Sequence, residues 1–454
     1  MKNASISSTI LRLAFLGLAN LTAPTAHAAD GAFDTSWGNG GRFQIDIDSS
    51  GSDEVANLLI QPDGKLLMFG TCSNGESPNF CAARLLPSGG YDAAYGEAIH
   101  PGRTIFYEGV SAVTAAVLTA DGGSVLAGAY GSLVKLDATG ALVASLSTAS
   151  GIGGFYDLRA MTVQADGKII LVGTALTGAQ DFLICRVLAD LSDLDRTFGD
   201  ANGTKLIAFA GGTNDIPSAV TVQPNGKIVV AGTIVVSSSL KKVGVARLLP
   251  DGQLDDDPVS GFGDNGRATF DWGSPSSAHA IKVDRDGSLL IAGSAYGGTG
   301  PTPSLDFFVN RLTSRGGQDP NFGVLCPPPS CDAGPAYIDI NNVGGLSDDD
   351  VAALVVQMDG KILVSGHARR RIDDVQYFAV ARLTRYGDPD PGFGNGGQTV
   401  GYYGPAAVSD TASTIAIGSG GIVIAGSSQE DLGTAYRFGI AKLKMDLIFT
   451  DGME

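Results

Sequence analysis

Short apolar runs alternate with polar turns along most of the chain, and one such unit recurs. Leu59-Ile60-Gln61-Pro62-Asp63-Gly64-Lys65-Leu66-Leu67-Met68-Phe69-Gly70 returns as Val163-Gln164-Ala165-Asp166-Gly167-Lys168-Ile169-Ile170-Leu171-Val172-Gly173. It returns again around Asn225-Gly226-Lys227, Asp286-Gly287 and Asp359-Gly360-Lys361, with weaker copies at Asp121-Gly122 and Ser419-Gly420. The seven copies start at 63, 121, 166, 225, 286, 359 and 419, spaced by 58, 45, 59, 61, 73 and 60 residues. A period of this size marks a repeat architecture. Each copy reads as a β-hairpin. One apolar strand ends, Pro presets the first turn position, Asp suits the second, and Gly takes the left-handed place before the return strand.

A second phrase follows the hairpin: Phe-x-Val-Ala-Arg-Leu, a turn, then Leu-Asp-x-x-Phe-Gly-x-x-Gly. Phe378 to Leu383 with Asp390 to Gly397 shows it, as does Val243 to Leu248 with Asp255 and Phe262-Gly263. It adds a third strand, and the residues after the last Gly, such as Gln398-Thr399-Val400, add a fourth. Four short strands per unit predict an all-β fold: a seven-bladed β-propeller with four-stranded blades. The last unit stops at Phe438 to Leu443 without its Leu-Asp-x-x-Phe-Gly segment. Residues 31–48, beginning Gly31-Ala32-Phe33-Asp34-Thr35-Ser36-Trp37-Gly38, carry that missing piece. The N-terminal strand is therefore expected to join the last blade and close the ring, which removes two exposed sheet edges.

These phrases resemble the delta-60 repeat family of bacterial secreted proteins. The likeness extends over nearly all of the chain after its leader. It departs at the second unit, which is short and lacks Phe-Gly, and at the seventh, whose turn is Gly-Ser-Gly-Gly. The resemblance implies propeller-like repeats and no established activity, so it assigns no catalytic residue.

The ends bear on location. Residues 1–28 read as a secretory leader: Lys2 and Arg12 are basic, Leu11 to Leu21 is apolar, and Ala26-His27-Ala28 is a small-x-small cleavage site. No later run approaches the roughly 20 apolar residues of a membrane span. Residues 29–446 are then one propeller domain, and 447–454 a tail beyond the last repeat. The expected location is secreted, periplasmic or cell-surface. In an oxidising compartment, Cys72 with Cys81 and Cys326 with Cys331 predict two local disulfides, leaving Cys185 buried in a strand.

The 454 residues include 64 Gly and carry a formal net charge of −17, or −19 once Lys2 and Arg12 leave with the leader. That argues against nucleic acid or an anionic membrane as partner. The expected partner is an extracellular glycan, protein or surface polymer, bound by a monomer. Each third strand carries one basic residue: Arg84, Lys135, Arg186, Arg247, Arg311, Arg382 or Lys442. One reading is a ring of cations around an anion-binding channel. The favoured reading is framework, with Asp34, Asp92, Asp195, Asp255, Asp319 and Asp390 as partners, because charges between stacked blades must be paired. Lys65, Lys168, Lys227 and Lys361, just after the turn Gly, are expected to face solvent.

No catalytic or cofactor-binding residue is assigned. His100, His279 and His367 are isolated in sequence, and no nucleophile elbow, zinc-protease motif or phosphate loop is present. Metal ligands stay unknown. Asp348-Asp349-Asp350 and Asp255-Asp256-Asp257 are the densest acid runs, neither fits an EF-hand, and calcium is the one cofactor left open. The function expected is a non-enzymatic binding or scaffold module. The alternative is a metal-dependent propeller enzyme, lactonase-like or quinone-dependent dehydrogenase-like, served by the irregular second unit and the insertion at 324–347.

Overall fold

The computed structural model describes residues 30–47, 51–73, 78–96, 100–106, 112–146, 154–175, 180–209, 214–273, 275–296, 304–323, 334–340, 347–405, 407–418, 420–430 and 434–445. The leader, Cys326, Cys331 and the C-terminal tail lie outside these residues.

Among the described residues every regular element is a strand. β1 (Arg42–Ile45) comes first. Then β2 (Asp53–Ile60), β3 (Leu66–Ser73), β4 (Pro78–Leu85) and β5 (Arg103–Phe106) form a four-stranded sheet in chain order. The same plan repeats in β6 (Val113–Leu118), β7 (Ser124–Gly128), β8 (Leu133–Leu136) and β9 (Leu142–Leu146), and in β10 (Phe155–Val163), β11 (Ile169–Ala175), β12 (Phe182–Val187) and β13 (Thr204–Ile207). It continues in β14 (Asn214–Val222), β15 (Ile228–Val235), β16 (Lys241–Leu248) and β17 (Arg267–Phe270), then β18 (Ser276–Val283), β19 (Leu289–Tyr296), β20 (Leu305–Leu312) and β21 (Ala336–Ile338). The remaining strands are β22 (Ser347–Val356), β23 (Ile362–Arg370), β24 (Gln376–Leu383), β25 (Gln398–Gly401), β26 (Ser409–Gly418), β27 (Gly421–Gln429) and β28 (Arg437–Leu443). With β1 they form an eight-stranded sheet. It divides into two four-stranded sets, because only the parallel pair Gln376↔Ser409 joins β24 to β26. β1 pairs antiparallel with β28, from Arg42↔Ala441 to Ile45↔Phe438, and so supplies the fourth strand of the last set.

The repeated phrase maps onto this plan for physical reasons. Gln61 N–H donates to Lys65 O and Gly64 N–H to Gln61 O, and Gly64 has φ 81°, the left-handed residue this hairpin needs. The Gly that ends the phrase answers a different demand. β2, β6, β10, β14, β18, β22 and β26 each carry a register break opposite that Gly, as between Val351 and Ala353 facing Gly366, and β10 has a second between Phe155 and Asp157. The bulge pushes a carbonyl against the second strand. A Cβ at Gly366 would lie 1.9 Å from Asp350 O, and one at Gly426 1.7 Å from Thr411 O.

Apolar faces interlock between successive sets. One cluster joins Leu290, Phe307 and Phe322 to Val351, Leu354 and Val364 across β18–β21 and β22–β25. Another joins Val423, Phe438 and Ile440 of the last set to Val55, Leu58 and Met68 of the first. The antiparallel plan gives each set two ends. First and third strands begin at one, called here the entry end. The Pro-Asp-Gly hairpins and the C-termini of the third strands lie at the other, the turn end.

Candidate functional site

The turn end holds the regular charges. Arg84 Nε donates to Asp92 Oδ2 at 2.8 Å, Arg186 to Asp195 at 2.9 Å, Arg247 to Asp255 at 2.6 Å, Arg311 to Asp319 at 2.6 Å and Arg382 to Asp390 at 2.8 Å. Lys442 faces Asp34 at 3.5 Å. Each guanidinium also lies over the ring of the following Phe-Gly or Tyr-Gly, as Arg186 over Phe198 at 4.6 Å and Arg84 over Tyr95 at 4.5 Å. Lys135, in the short second unit, pairs with Asp121 instead. The expected framework role therefore describes the geometry of these residues.

The turn lysines do not simply face solvent. Lys65, Lys168, Lys227 and Lys361 reach Asp92, Asp195, Asp255 and Asp390 at 3.3, 2.8, 2.8 and 3.0 Å. The acid folds back beside the third strand, its N–H on the Arg carbonyl, as with Asp92 and Arg84. It thus comes within reach of the residue after the turn Gly and is shared by two cations. Burial raises the Asp195 carboxyl, but Lys168, Thr197 and Arg186 outweigh it and hold the group well below its usual range.

The same arginines stitch neighbouring sets together. Arg84 Nη1 donates to Ala138 O, Arg186 to Pro250 O, Arg247 to Ser314 O and Arg311 to Arg385 O, each acceptor three residues beyond the next set's basic position. Arg382 finds the Asp30 carboxylate there instead. Where Lys442 replaces Arg, the Trp37 indole N–H donates to Pro87 O at 3.0 Å and supplies the missing bridge.

The entry end is less regular. The run Asp348-Asp349-Asp350 sends its three carboxylates to three places. Asp348 pairs with Arg371. Asp349 is fully buried and accepts the Ile340 N–H on Oδ2 at 2.8 Å. Asp350 accepts the Ser294 hydroxyl at 2.5 Å and lies 3.5 Å from His279 Nε2, with His367 opposite it on β23. Desolvation pushes both imidazoles below their ordinary value against the pull of Asp350, so both are neutral at pH 7. The sequence left these histidines isolated, and the β18/β22 packing brings them to one carboxylate. His100 stands apart, in a segment before β5.

Asp306, Asp339 and Asp349 converge, with one carboxylate oxygen from each within 4.8 Å of the other two. Asp306 and Asp349 are buried and Asp339 is exposed. Burial, then the neighbouring acids Asp339 and Asp306, push Asp349 up to about 8. Only Asp349 stood out in the sequence, as part of an acid run. The other two become visible as partners once the strands are in register. The second run, Asp255-Asp256-Asp257, forms no such cluster, because Asp255 belongs to the Arg247 unit and Asp257 caps the turn at Val259 and Ser260.

Cys72 and Cys81 form a disulfide between the adjacent strands β3 and β4. Cys185 is a buried free thiol that burial pushes up, which keeps it protonated and unreactive. Among exposed apolar side chains, Tyr130 is 59% and Tyr156 50% accessible, both at the entry end. Their segments are held together by Leu158 N–H on Ala129 O.

Three segments, 164–198, 223–257 and 357–393, match a family model described as a domain of unknown function (DUF5122) β-propeller. Two crystal structures of Sqt1 from Chaetomium thermophilum are similar to this chain. One has 10% identity and a TM-score of 0.43, covering 89% of this chain and 99% of that one. The other has 12% identity and a TM-score of 0.45, covering 91% and 100%. No curated protein matches the chain. The family match over these three segments and the all-β, four-stranded plan together support a β-propeller repeat architecture.

Proposed function

We propose that this chain is a closed seven-bladed propeller of the delta-60 type, exported by its leader, that works as a non-enzymatic binding or scaffold module outside the cytoplasm. Closure is supported by β1 completing the last four-stranded set and by the apolar cluster shared by the last set and the first. A monomer follows from a ring with no free sheet edge at the seam.

The observation that carries the binding reading is the division of labour between the ends. The regular charges at the turn end are consumed by pairing and stitching. The exposed Tyr130 and Tyr156 and the acid run Asp348 to Asp350 lie at the entry end, whereas Tyr386, equally exposed at the turn end, lies under Arg385. Exposed aromatic faces on a rigid scaffold suit a sugar ring or a polymer chain. The partner class is an extracellular glycan, protein or surface polymer. Glycan arrays and pull-downs with the purified protein test this. Silence in both, with turnover in a hydrolase or lyase screen, would sink it.

The pairing of His279 with Asp350, backed by Ser294, favours a second reading. A neutral imidazole held against a carboxylate is the arrangement of a general base. A lactonase-like or quinone-dependent enzyme would need a bound metal or a coloured cofactor. Elemental analysis and an absorption spectrum of the purified protein decide between the two.

A further inference from the structure

The corner where one set hands over to the next is built alike around the molecule, and its differences are informative. An acid near the start of a first strand accepts the N–H of the segment leaving the previous fourth strand. Asp53 takes Ile47 N–H at 2.7 Å, Asp215 takes Phe209 N–H at 2.8 Å, Asp349 takes Ile340 N–H at 2.8 Å, and Asp410 takes Tyr403 N–H. Two neighbours complete each corner: the second-to-last residue of that segment and an early residue of the previous third strand.

These neighbours vary. Beside Asp53 they are Asp46 and Arg437, which lie 3.9 Å apart as opposite charges. Beside Asp410 they are Tyr402 and Tyr377, whose rings pack at 4.8 Å. At the corner led by Ser276 they are Asp271 and Lys242, an ion pair at 3.7 Å. Beside Asp215 they are Ala208 and Asp181. Beside Asp349 both are acids, Asp339 and Asp306. Among the described residues this corner alone gathers three carboxylates.

A bare buried Oδ1 on the leading acid recurs at the Asp215 and Asp410 corners; what this corner adds is a second bare oxygen, on Asp306. Asp306 accepts the Ser304 hydroxyl on Oδ1, and Asp349 accepts Ile340 N–H on Oδ2. Their other oxygens, Asp306 Oδ2 and Asp349 Oδ1, are buried with no hydrogen-bond partner. A buried carboxylate oxygen left bare is costly, and three carboxyls at this separation can be ionised together only beside a counter-charge. Arg371 pairs with Asp348 and also acts favourably on Asp306. An all-oxygen, all-carboxylate set suits a hard divalent cation, and calcium ligands at roughly 2.3–2.6 Å place their oxygens within about 5 Å of one another.

We propose that Asp306, Asp339 and Asp349 form a calcium site that ties β20 and β21 to the first strand of the next set. Asp306 and Asp349 supply the buried oxygens, and the exposed Asp339 closes the site from the solvent side. The site locks the corner that the other junctions close with an ion pair or a ring stack. It does not depend on what the exposed tyrosines bind.

The test is calorimetric titration of calcium chloride into chelator-treated full-length protein at pH 7.5, with Asp339→Asn, Asp306→Asn and Asp271→Asn alongside. Asp339 is exposed and its replacement leaves the backbone bonds intact, so that variant reports on binding without loss of fold. The expected result is one saturable calcium per chain and a rise in melting temperature with calcium. Affinity should fall at least about tenfold in Asp339→Asn and Asp306→Asn and stay unchanged in Asp271→Asn, since each lost carboxylate lowers ligand charge. Equal binding by wild type and Asp339→Asn would overturn the proposal. So would no binding up to about 10 mM calcium, beyond the weakest ordinary protein sites. In that case a shared proton, not a cation, holds the three acids together.

Discussion

The two ends of this molecule treat charge in opposite ways. At the turn end, one arginine, one aspartate and one lysine meet again and again, and the arginine reaches across to the next set. At the entry end, equivalent positions hold an ion pair, a tyrosine stack, an alanine beside an acid, or three acids. A repeat that must stack needs one solution to a buried charge, copied. A surface that must recognise something has no such need. The contrast predicts that substitutions at one end reach stability and at the other reach binding.

The largest effect is expected where the frame is most enclosed. Arg382 is 2% exposed and holds Asp390 and Asp30 at once. Arg382→Met takes the guanidinium away from two buried carboxylates and leaves Asp390 with Lys361 as its one cation, so urea unfolding should show a loss of about 3–5 kcal/mol. A loss within experimental error would mean that the stitch is decoration. A smaller loss is expected at the seam. Trp37→Phe keeps the ring but removes the donor to Pro87 O, which should cost about 1–3 kcal/mol by the same measurement.

These positions also show how much the sequence discloses. The hairpins, the four-stranded plan, the basic residues with their acids and the N-terminal strand on the last set are all legible, because local turn chemistry and a strict period encode them. Trp37 in place of Phe is visible in the sequence, but its indole bridge is not, since that depends on where Pro87 sits in another set. The turn lysines were misplaced because Asp92 and its counterparts fold back beside the third strand, a path that no local pattern records. The Asp306, Asp339 and Asp349 corner is the extreme case. Its members come from a third strand, the segment after the fourth strand and the first strand of the next set, and only the register of β20, β21 and β22 brings them together.

The ends should also separate by pH. At the turn end, Asp92, Asp195 and Asp390 are held below their usual range: burial raises each, but a lysine, an arginine and a local N–H or hydroxyl outweigh it. Their stabilisation is present above the ordinary carboxylate value near about 4 and is lost as pH falls through the lowered ones. At the entry end, burial raises Asp215 and Asp410 to about 6. Phe209 N–H opposes the shift at Asp215 while Asp181 adds to it, and Ser428, Tyr403 N–H, Gln429 N–H and Arg42 oppose it at Asp410. Folded-state values above the unfolded ones reverse the sign. That stability is full below about 4 and is lost as pH rises through about 6. Asp410→Asn should therefore flatten the stability profile between about 4 and 6 and leave the acid limb unchanged. A variant whose whole profile shifts in parallel would show that the two ends are not electrically separate.

The smallest effect on stability should accompany the largest effect on binding. Tyr130 and Tyr156 are half or more exposed, and neither side chain holds a hydrogen bond that the frame needs. Truncating either to Ala removes solvated ring surface and should change unfolding free energy by no more than about 0.5 kcal/mol. Aromatic rings at the turn end that lie under an arginine, such as Phe198 under Arg186, cannot be removed so cheaply, because there the ring is buried and covers a charge. If the entry end is the recognition face, Tyr130→Ala with Tyr156→Ala should abolish retention on whichever glycan or polymer the wild type binds, while the melting curve stays superimposable. Retained binding with an unchanged melting curve would move recognition away from these rings, and lost binding with an early melt would mean that the pair belongs to the frame after all.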